Sequence, residues 1–242
     1  MTKLSVNINK IATIRNARGG NNPDLIKMAR LIEDLGAHGI TVHPRPDERH
    51  IRRADLFMLK QHVRTEFNVE GYPSDDFIAL MHEIRPQQIT LVPDPPDVIT
   101  SNAGFKLKDD LDLVLHAVDR LKPCGSRISL FIDPVDFIDR DVAVIKQTGA
   151  DRIELYTKDY ADYPHCDKTL TRYLDVAQRA QAIGLGINAG HDLSLENLSP
   201  LLTAIPFIAE VSIGHALICD ALLLGLPETM RRYLALTAKT IH

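Results

Sequence analysis

The sequence predicts an α/β protein of the (β/α)8 or TIM-barrel class, folded as one domain over residues 1–242. Three observations carry this: the length, an eightfold alternation of strand-like and helix-like segments, and polar residues at the C-terminal ends of the strand-like runs. A chain of 242 residues is close to the roughly 250 of such a barrel. Short β-rich runs occur at 4–8, 39–43, 66–70, 88–92, 127–133, 152–157, 184–189 and 210–214. Helical periodicity fills the intervals, as at 23–35, 74–84, 107–121, 135–147 and 170–183. Gly36, Gly125, Gly149 and Gly184 stand where helix C-terminal caps are expected. Strict alternation implies parallel strands joined by right-handed crossovers, and eight such units close on themselves.

Composition narrows the function classes. Apolar residues make up 45% and charged residues 25%, enough to build a large core and too apolar for a disordered chain. The net charge of −4 gives no overall attraction to nucleic acid or an anionic membrane, so any anion affinity must be local and the expected partner is a small molecule. Cys124, Cys166 and Cys219 are too few and scattered for a disulfide framework or a zinc site, and three free thiols are expected. The N-terminal residues lack a signal-peptide apolar stretch and Asp220 interrupts the apolar run 216–226, so a cytoplasmic location is expected.

Within the strands, one phase is apolar: Val6 and Ile8, Ile40 and Val42, Phe67 and Val69, Leu130 and Ile132, Ile153 and Leu155, Val211 and Ile213. These residues should pack against the helices. The other phase holds Asn7, Thr41, His43, Asn68, Glu70, Ser129, Asp133, Glu154, Asn188 and Ser212, groups that are costly to bury without partners. Either a polar ligand occupies the upper barrel, the reading we favour, or an internal hydrogen-bond network satisfies them. The strand C-terminal ends are where barrels of this class do chemistry.

Two Gly-His pairs, Gly190-His191 after strand 7 and Gly214-His215 after strand 8, each open toward a helix. Loops at those positions commonly cradle phosphate, because glycine lets backbone N–H groups approach and the helix start adds positive potential. A second cationic cluster follows strands 1 and 2: Arg15, Arg18, Gly19 and Gly20 in an expected loop, then His43, Arg45, Arg49, His50, Arg52 and Arg53. Arg18, Arg45 and His50 are the expected anion ligands, with Arg52 and Arg53 as surface charges. Two anion sites in one barrel suit either a bisphosphate or two monophosphates held together for condensation.

His43, Glu70, Glu154 and His191 end strands 2, 3, 6 and 7 and form a candidate acid–base set. Strand 1 ends Asn7-Ile8-Asn9-Lys10, without the His-x-His pair of metal-dependent barrel hydrolases, so no metal is expected. Lys10 lies past the strand rather than within it, which disfavours a Schiff-base role. No GxGxxG fingerprint is present and no cofactor is expected.

The runs 6–19 (VNINKIATIRNARG), 39–51 (GITVHPRPDERHI), Asn68-Val69-Glu70, 91–94 (LVPD), 188–191 (NAGH) and 213–215 (IGH), in order over nearly the whole chain, resemble the pyridoxine 5′-phosphate synthase family of vitamin B6 biosynthesis. The resemblance implies a barrel enzyme that condenses 3-amino-2-oxopropyl phosphate with 1-deoxy-D-xylulose 5-phosphate, yielding pyridoxine 5′-phosphate, inorganic phosphate and water. It implies His43 and Glu70 as proton acceptors, His191 as proton donor and Glu154 as transition-state stabiliser. Asn7, Arg18, Asp192, Gly214 and His215 would hold the aminoketone phosphate, and Asn9, Lys10, Arg45, His50 and Thr100 the deoxyxylulose phosphate. The scheme requires no metal or cofactor, and the family assembles as homo-oligomers, often octamers. Departures are Asn9-Lys10 where many relatives have Asp-His, Asp192 where they have Gly, and the 100–104 segment where they carry a Glu. Without the resemblance, the residues also fit a phosphosugar isomerase or aldolase, or a phosphate-ligand binding protein.

Overall fold

The computed structural model describes residues 1–94, 103–135, 137, 139–164 and 166–238. Eight strands form the barrel: β1 Lys3–Asn7, β2 Gly39–Val42, β3 Glu66–Gly71, β4 Gln88–Leu91, β5 Arg127–Ile132, β6 Arg152–Tyr156, β7 Gly186–Gly190 and β8 Glu210–Ile213. Around them lie α1 Asn9–Asn16, α2 Leu25–Asp34, α3 Arg53–His62, α4 Asp75–Ile84, α5 Leu107–Leu121, α6 Asp139–Thr148, α7 Lys158–Asp162, α8 Asp167–Ala182, α9 Leu198–Ala204, α10 His215–Leu224 and α11 Leu226–Ala238. Every neighbouring strand pair is parallel, and β8 closes on β1 through Lys3↔Glu210, Leu4↔Val211, Ser5↔Ser212 and Val6↔Ile213.

Local chemistry explains most boundaries. Asp24 starts α2, its carboxylate accepting from the N–H groups of Ile26 and Lys27 at 3.0 Å, and Ser74 starts α4 by accepting from Phe77 N–H at 3.2 Å. The four cap glycines all have positive φ, from +71° to +103°. Gly184 accounts for the largest strand revision: at φ +92° it ends the α8 turn, so β7 begins at Gly186 and not at 184. A second revision concerns the residues after β1, expected as a loop. They form α1, which puts Arg15 on a helix.

The apolar strand phase is buried against the helices as expected, with Val6, Ile40, Val42, Val69, Leu130, Ile153 and Val211 all at 0% exposure. The α2 face Leu25, Ala29 and Ile32 follows helical spacing into the same core. Each such fully buried Ile or Leu contributes about 1.5–3 kcal/mol.

The lower barrel is filled by a polar network. Arg127 Nε donates to Gln88 Oε1 at 2.9 Å and its guanidinium contacts Glu66, which also lies 3.8 Å from Lys3 Nζ. Gln88 Nε2 donates to Glu210 Oε1 at 3.4 Å, and Arg152 donates to Asn188 Oδ1 at 2.8 Å. One layer up, Ser5 and Thr41 share a 2.7 Å hydrogen bond, Asn68 donates to Thr41, and Thr90 donates to Asn68. For Thr41, Asn68 and Asn188 the internal-network alternative therefore holds. Among the described residues, no helix is long and apolar enough to cross a membrane.

Candidate active site

Above that network the strand C-terminal ends surround a cavity of about 660 Å³. Twelve of the fourteen expected site residues line it: Asn7, Asn9, Lys10, His43, Arg45, His50, Glu70, Glu154, His191, Asp192, Gly214 and His215. Because β8 neighbours β1, the Gly-His loops after β7 and β8 and the cationic groups after β1 and β2 occupy one continuous arc of the rim. Glu70 on β3 and Glu154 on β6 flank that arc. Arg18 does not join them; α1 ends at Asn16 and leaves it exposed beyond the helix. Thr100 lies outside the described residues.

The residues around α1 also build the site indirectly. Arg15 is 3% exposed and grips Asp55 with two hydrogen bonds of 2.7 and 2.8 Å, while donating to the His50 carbonyl at 3.2 Å. Asn16 Nδ2 donates to the carbonyls of Glu48, Arg49 and His50. Together they brace the loop after β2, so Arg15, a member of the cationic cluster by sequence, is a strut. Asn9 Oδ1 accepts from the His43 N–H at 3.0 Å, fastening the end of β2 to the start of α1.

Electrostatics set the protonation states. Burial, then the charges of Arg45, His50 and Arg49, push His43 down to about 3, so its imidazole is neutral. Burial, then Arg45, Arg49 and Lys10, push His50 down to about 4. His50 Nδ1 accepts from Ile51 N–H at 2.9 Å, so in the neutral ring Nε2 carries the proton and can donate to an anion. Burial raises both Glu70 and Glu154; Asp94 and Glu210 raise Glu70 further, and Glu70 raises Glu154. The Glu70 carboxyl, pushed up to about 8, holds its proton at neutral pH, and the Glu154 carboxyl is held well above the usual carboxylate range. Glu70 Oε2 stands 3.9 Å from His43 Nδ1, near enough to exchange a proton after a small movement. Arg45, 6% exposed, is held 3.4 Å from Asp94.

At the β7 end the backbone turns sharply, with His191 at φ +86° and Asp192 at φ +55°. Left-handed backbone costs non-glycine residues about 1–2 kcal/mol each, so the surroundings must hold it. Thr157 does so, its N–H donating to the Gly190 carbonyl at 3.0 Å and its one hydroxyl proton shared between the Gly190 carbonyl, 2.7 Å away, and the His191 carbonyl. Asn197 Nδ2 anchors the Asp192 carbonyl at 3.0 Å. Glycine at 190 leaves room for the carboxyl beside it, since a Cβ there would stand 2.3 Å from Glu154 Oε1 and displace it.

Sequence reasoning missed an apolar wall inside the cavity. Val92, Phe131 and Tyr156 pack together, the Phe131 and Tyr156 rings 5.3 Å apart, and Tyr156 meets the His191 ring edge-to-face at 5.0 Å and 70°. The signal was present, because Phe131 and Tyr156 share the strand phase of Ser129 and Glu154. Lys158, at the start of α7, also lines the cavity and was not singled out.

Comparison with known proteins agrees with this geometry. A mutant tryptophan synthase alpha-subunit from Pyrococcus furiosus superposes with a TM-score of 0.65 at 15% identity, covering 99% of this chain and 100% of that one, which shows the shared fold. The pyridoxine 5′-phosphate synthase of Parabacteroides distasonis is 55% identical over 97% of this chain and 98% of its own length. That of Cytophaga hutchinsonii is also 55% identical, over 97% and 98%. The family model described as pyridoxal phosphate biosynthesis protein PdxJ matches residues 4–239, and the chain belongs to that family.

Proposed function

We propose that the chain is a pyridoxine 5′-phosphate synthase, condensing 3-amino-2-oxopropyl phosphate with 1-deoxy-D-xylulose 5-phosphate to give pyridoxine 5′-phosphate, inorganic phosphate and water. The observation that carries this reading is one cavity holding cationic groups after β1 and β2, Gly-His loops after β7 and β8, and, between them, the carboxyls of Glu70 and Glu154. A single small phosphate ligand would leave one of these anion sites unused. Two phosphorylated reactants use both, and holding them together removes much of the entropic barrier to condensation.

At one end, the Nε2–H of His50 and the Arg45 guanidinium offer donors to the ketose phosphate, with Lys10 beside them. At the other, Gly214 and the first turn of α10 present backbone N–H groups to the aminoketone phosphate. When the amine adds to the ketone carbon, a carbinolamine forms, and its hydroxyl needs a proton to leave as water. Glu70, protonated at neutral pH, supplies that proton and becomes the carboxylate that accepts the next one from carbon. His43, neutral before it acts, is the second acceptor and carries the proton as imidazolium until it passes it on. His191 returns protons to departing oxygens. Glu154 lies among Phe131, Tyr156 and Gly190, where its carboxyl can stabilise cationic intermediates. The assembly is proposed to be a homo-octamer of the 27.0 kDa chain, with the exposed Leu222 and Leu223 of α10 among the apolar side chains a neighbouring copy could cover.

Chelator-treated protein incubated with both substrates should form pyridoxine 5′-phosphate and release phosphate in equal amounts. Formation of neither by folded protein overturns the assignment.

A further inference from the structure

Asp192 occupies the phosphate end of the cavity, where a carboxylate repels a phosphate ligand. Its side chain is 40% exposed and its Oδ2 lies 3.3 Å from His191 Nδ1. That Nδ1 is buried and, among the described residues, has no aligned hydrogen-bond partner. No other acceptor therefore competes for its proton. The two side chains are brought together by consecutive left-handed residues, a conformation locked by Thr157 beneath and Asn197 beyond. Tyr156, edge-on to the imidazole, limits ring rotation from the other side. Contact with His191, then the His191, Lys158 and His215 charges, hold the Asp192 carboxyl below its ordinary range despite the opposing effect of burial, so it is an anion at neutral pH.

We propose that Asp192 is a positioning residue for His191: its carboxylate receives Nδ1–H, fixes that tautomer, and leaves Nε2 as the nitrogen that exchanges a proton with the substrate. The inference rests on the proton-donor role of His191 proposed above. In each cycle the Nε2 proton goes to the departing oxygen, the Nδ1 proton stays, and Nε2 regains a proton from a later substrate deprotonation, so no further reagent is needed. The arrangement follows a general logic in which an acid–base histidine is oriented by an acceptor on its second nitrogen. The Asp192 side chain then acts through His191, and only its backbone N–H is available to the phosphate.

The test uses two substitutions that both suit positive φ. Asp192→Gly removes the acceptor, while Asp192→Asn keeps a neutral one. In the full-length protein, Asp192→Gly should lower kcat about tenfold or more with KM for either substrate within about threefold, and Asp192→Asn should fall between it and the wild type. Nitrogen-15 NMR of labelled histidine, with His191 assigned by difference against His191→Gln, should show Nδ1 protonated in the neutral wild-type ring and a shift toward the Nε2–H tautomer in Asp192→Gly. A rise in KM without loss of kcat would make Asp192 a direct substrate ligand and overturn the proposal. So would an unchanged His191 spectrum. The spectroscopic readout needs no turnover, so it tests the Asp192–His191 contact even if the wild-type protein fails to make pyridoxine 5′-phosphate.

Discussion

The floor and the mouth of this barrel are built from the same residue types and treat them in opposite ways. At the floor, Glu66 is held by Arg127 and Lys3, Gln88 connects Arg127 to Glu210, and Arg152 holds Asn188. At the mouth, His43 and Glu70 stop 3.9 Å apart, and burial raises both Glu70 and Glu154, with Glu70 raising Glu154 further. Buried polar groups are stabilising when paired and costly when not. The paired set is therefore scaffold, and the under-paired set is where a ligand completes the hydrogen bonding. A polar residue inside a barrel is thus diagnostic of function through its partners rather than its type.

The difference can be broken most severely at the mouth. Glu70→Gln and His191→Ala should each lower turnover by at least about 10² while circular dichroism stays native, because each removes a proton-transfer group and little packing. Near-normal rates would remove that residue from the chemistry. Arg45→Ala should raise KM for a phosphorylated substrate about tenfold through loss of a charge-assisted contact, with a smaller change in kcat. An unchanged KM for both substrates would contradict it.

The floor should respond the other way. Arg127→Met should destabilise the protein by about 2 kcal/mol, since Glu66 loses its main partner in a partly buried setting, while kcat/KM stays within about threefold. A loss of activity without loss of stability would erase the distinction. The subtlest effect is stability against pH. The Glu70 carboxyl is raised from 4.5 to about 8 in the folded state, so the folded protein holds that proton more tightly and this contribution to stability declines as pH rises between those values. Relative to wild type, Glu70→Gln should therefore gain melting temperature on going from pH 5 to pH 8.5, by about 2 °C or more. A pH-independent difference would mean that Glu70 titrates normally.

Most of the site was legible because a strand alternates faces every residue and a barrel places strand ends together. His43, Glu70, Glu154 and His191 could be named from position alone, and all four line one cavity. Between Arg15 and Arg18 position was no guide: Arg18 was the expected anion ligand, and it stands outside the cavity lining. They stand three residues apart in one cationic run, yet one pairs with Asp55, 40 residues on, and the other is left exposed.

The sequence by itself determined the eight strand–helix units, the buried strand phase, the helix stops at Gly36 and Gly184, and the polar strand-end residues that reach the barrel mouth. Each follows from interactions within a few residues: periodic burial, capping and allowed φ. The tertiary structure alone decided which polar groups find partners. Gln88 meets Glu210 across 122 residues, Phe131 and Tyr156 meet as a wall, and the Asp192 carboxylate lies against His191. Those contacts depend on the register in which the barrel closes and on backbone turned into left-handed conformation, and neither is encoded in any short stretch of the chain.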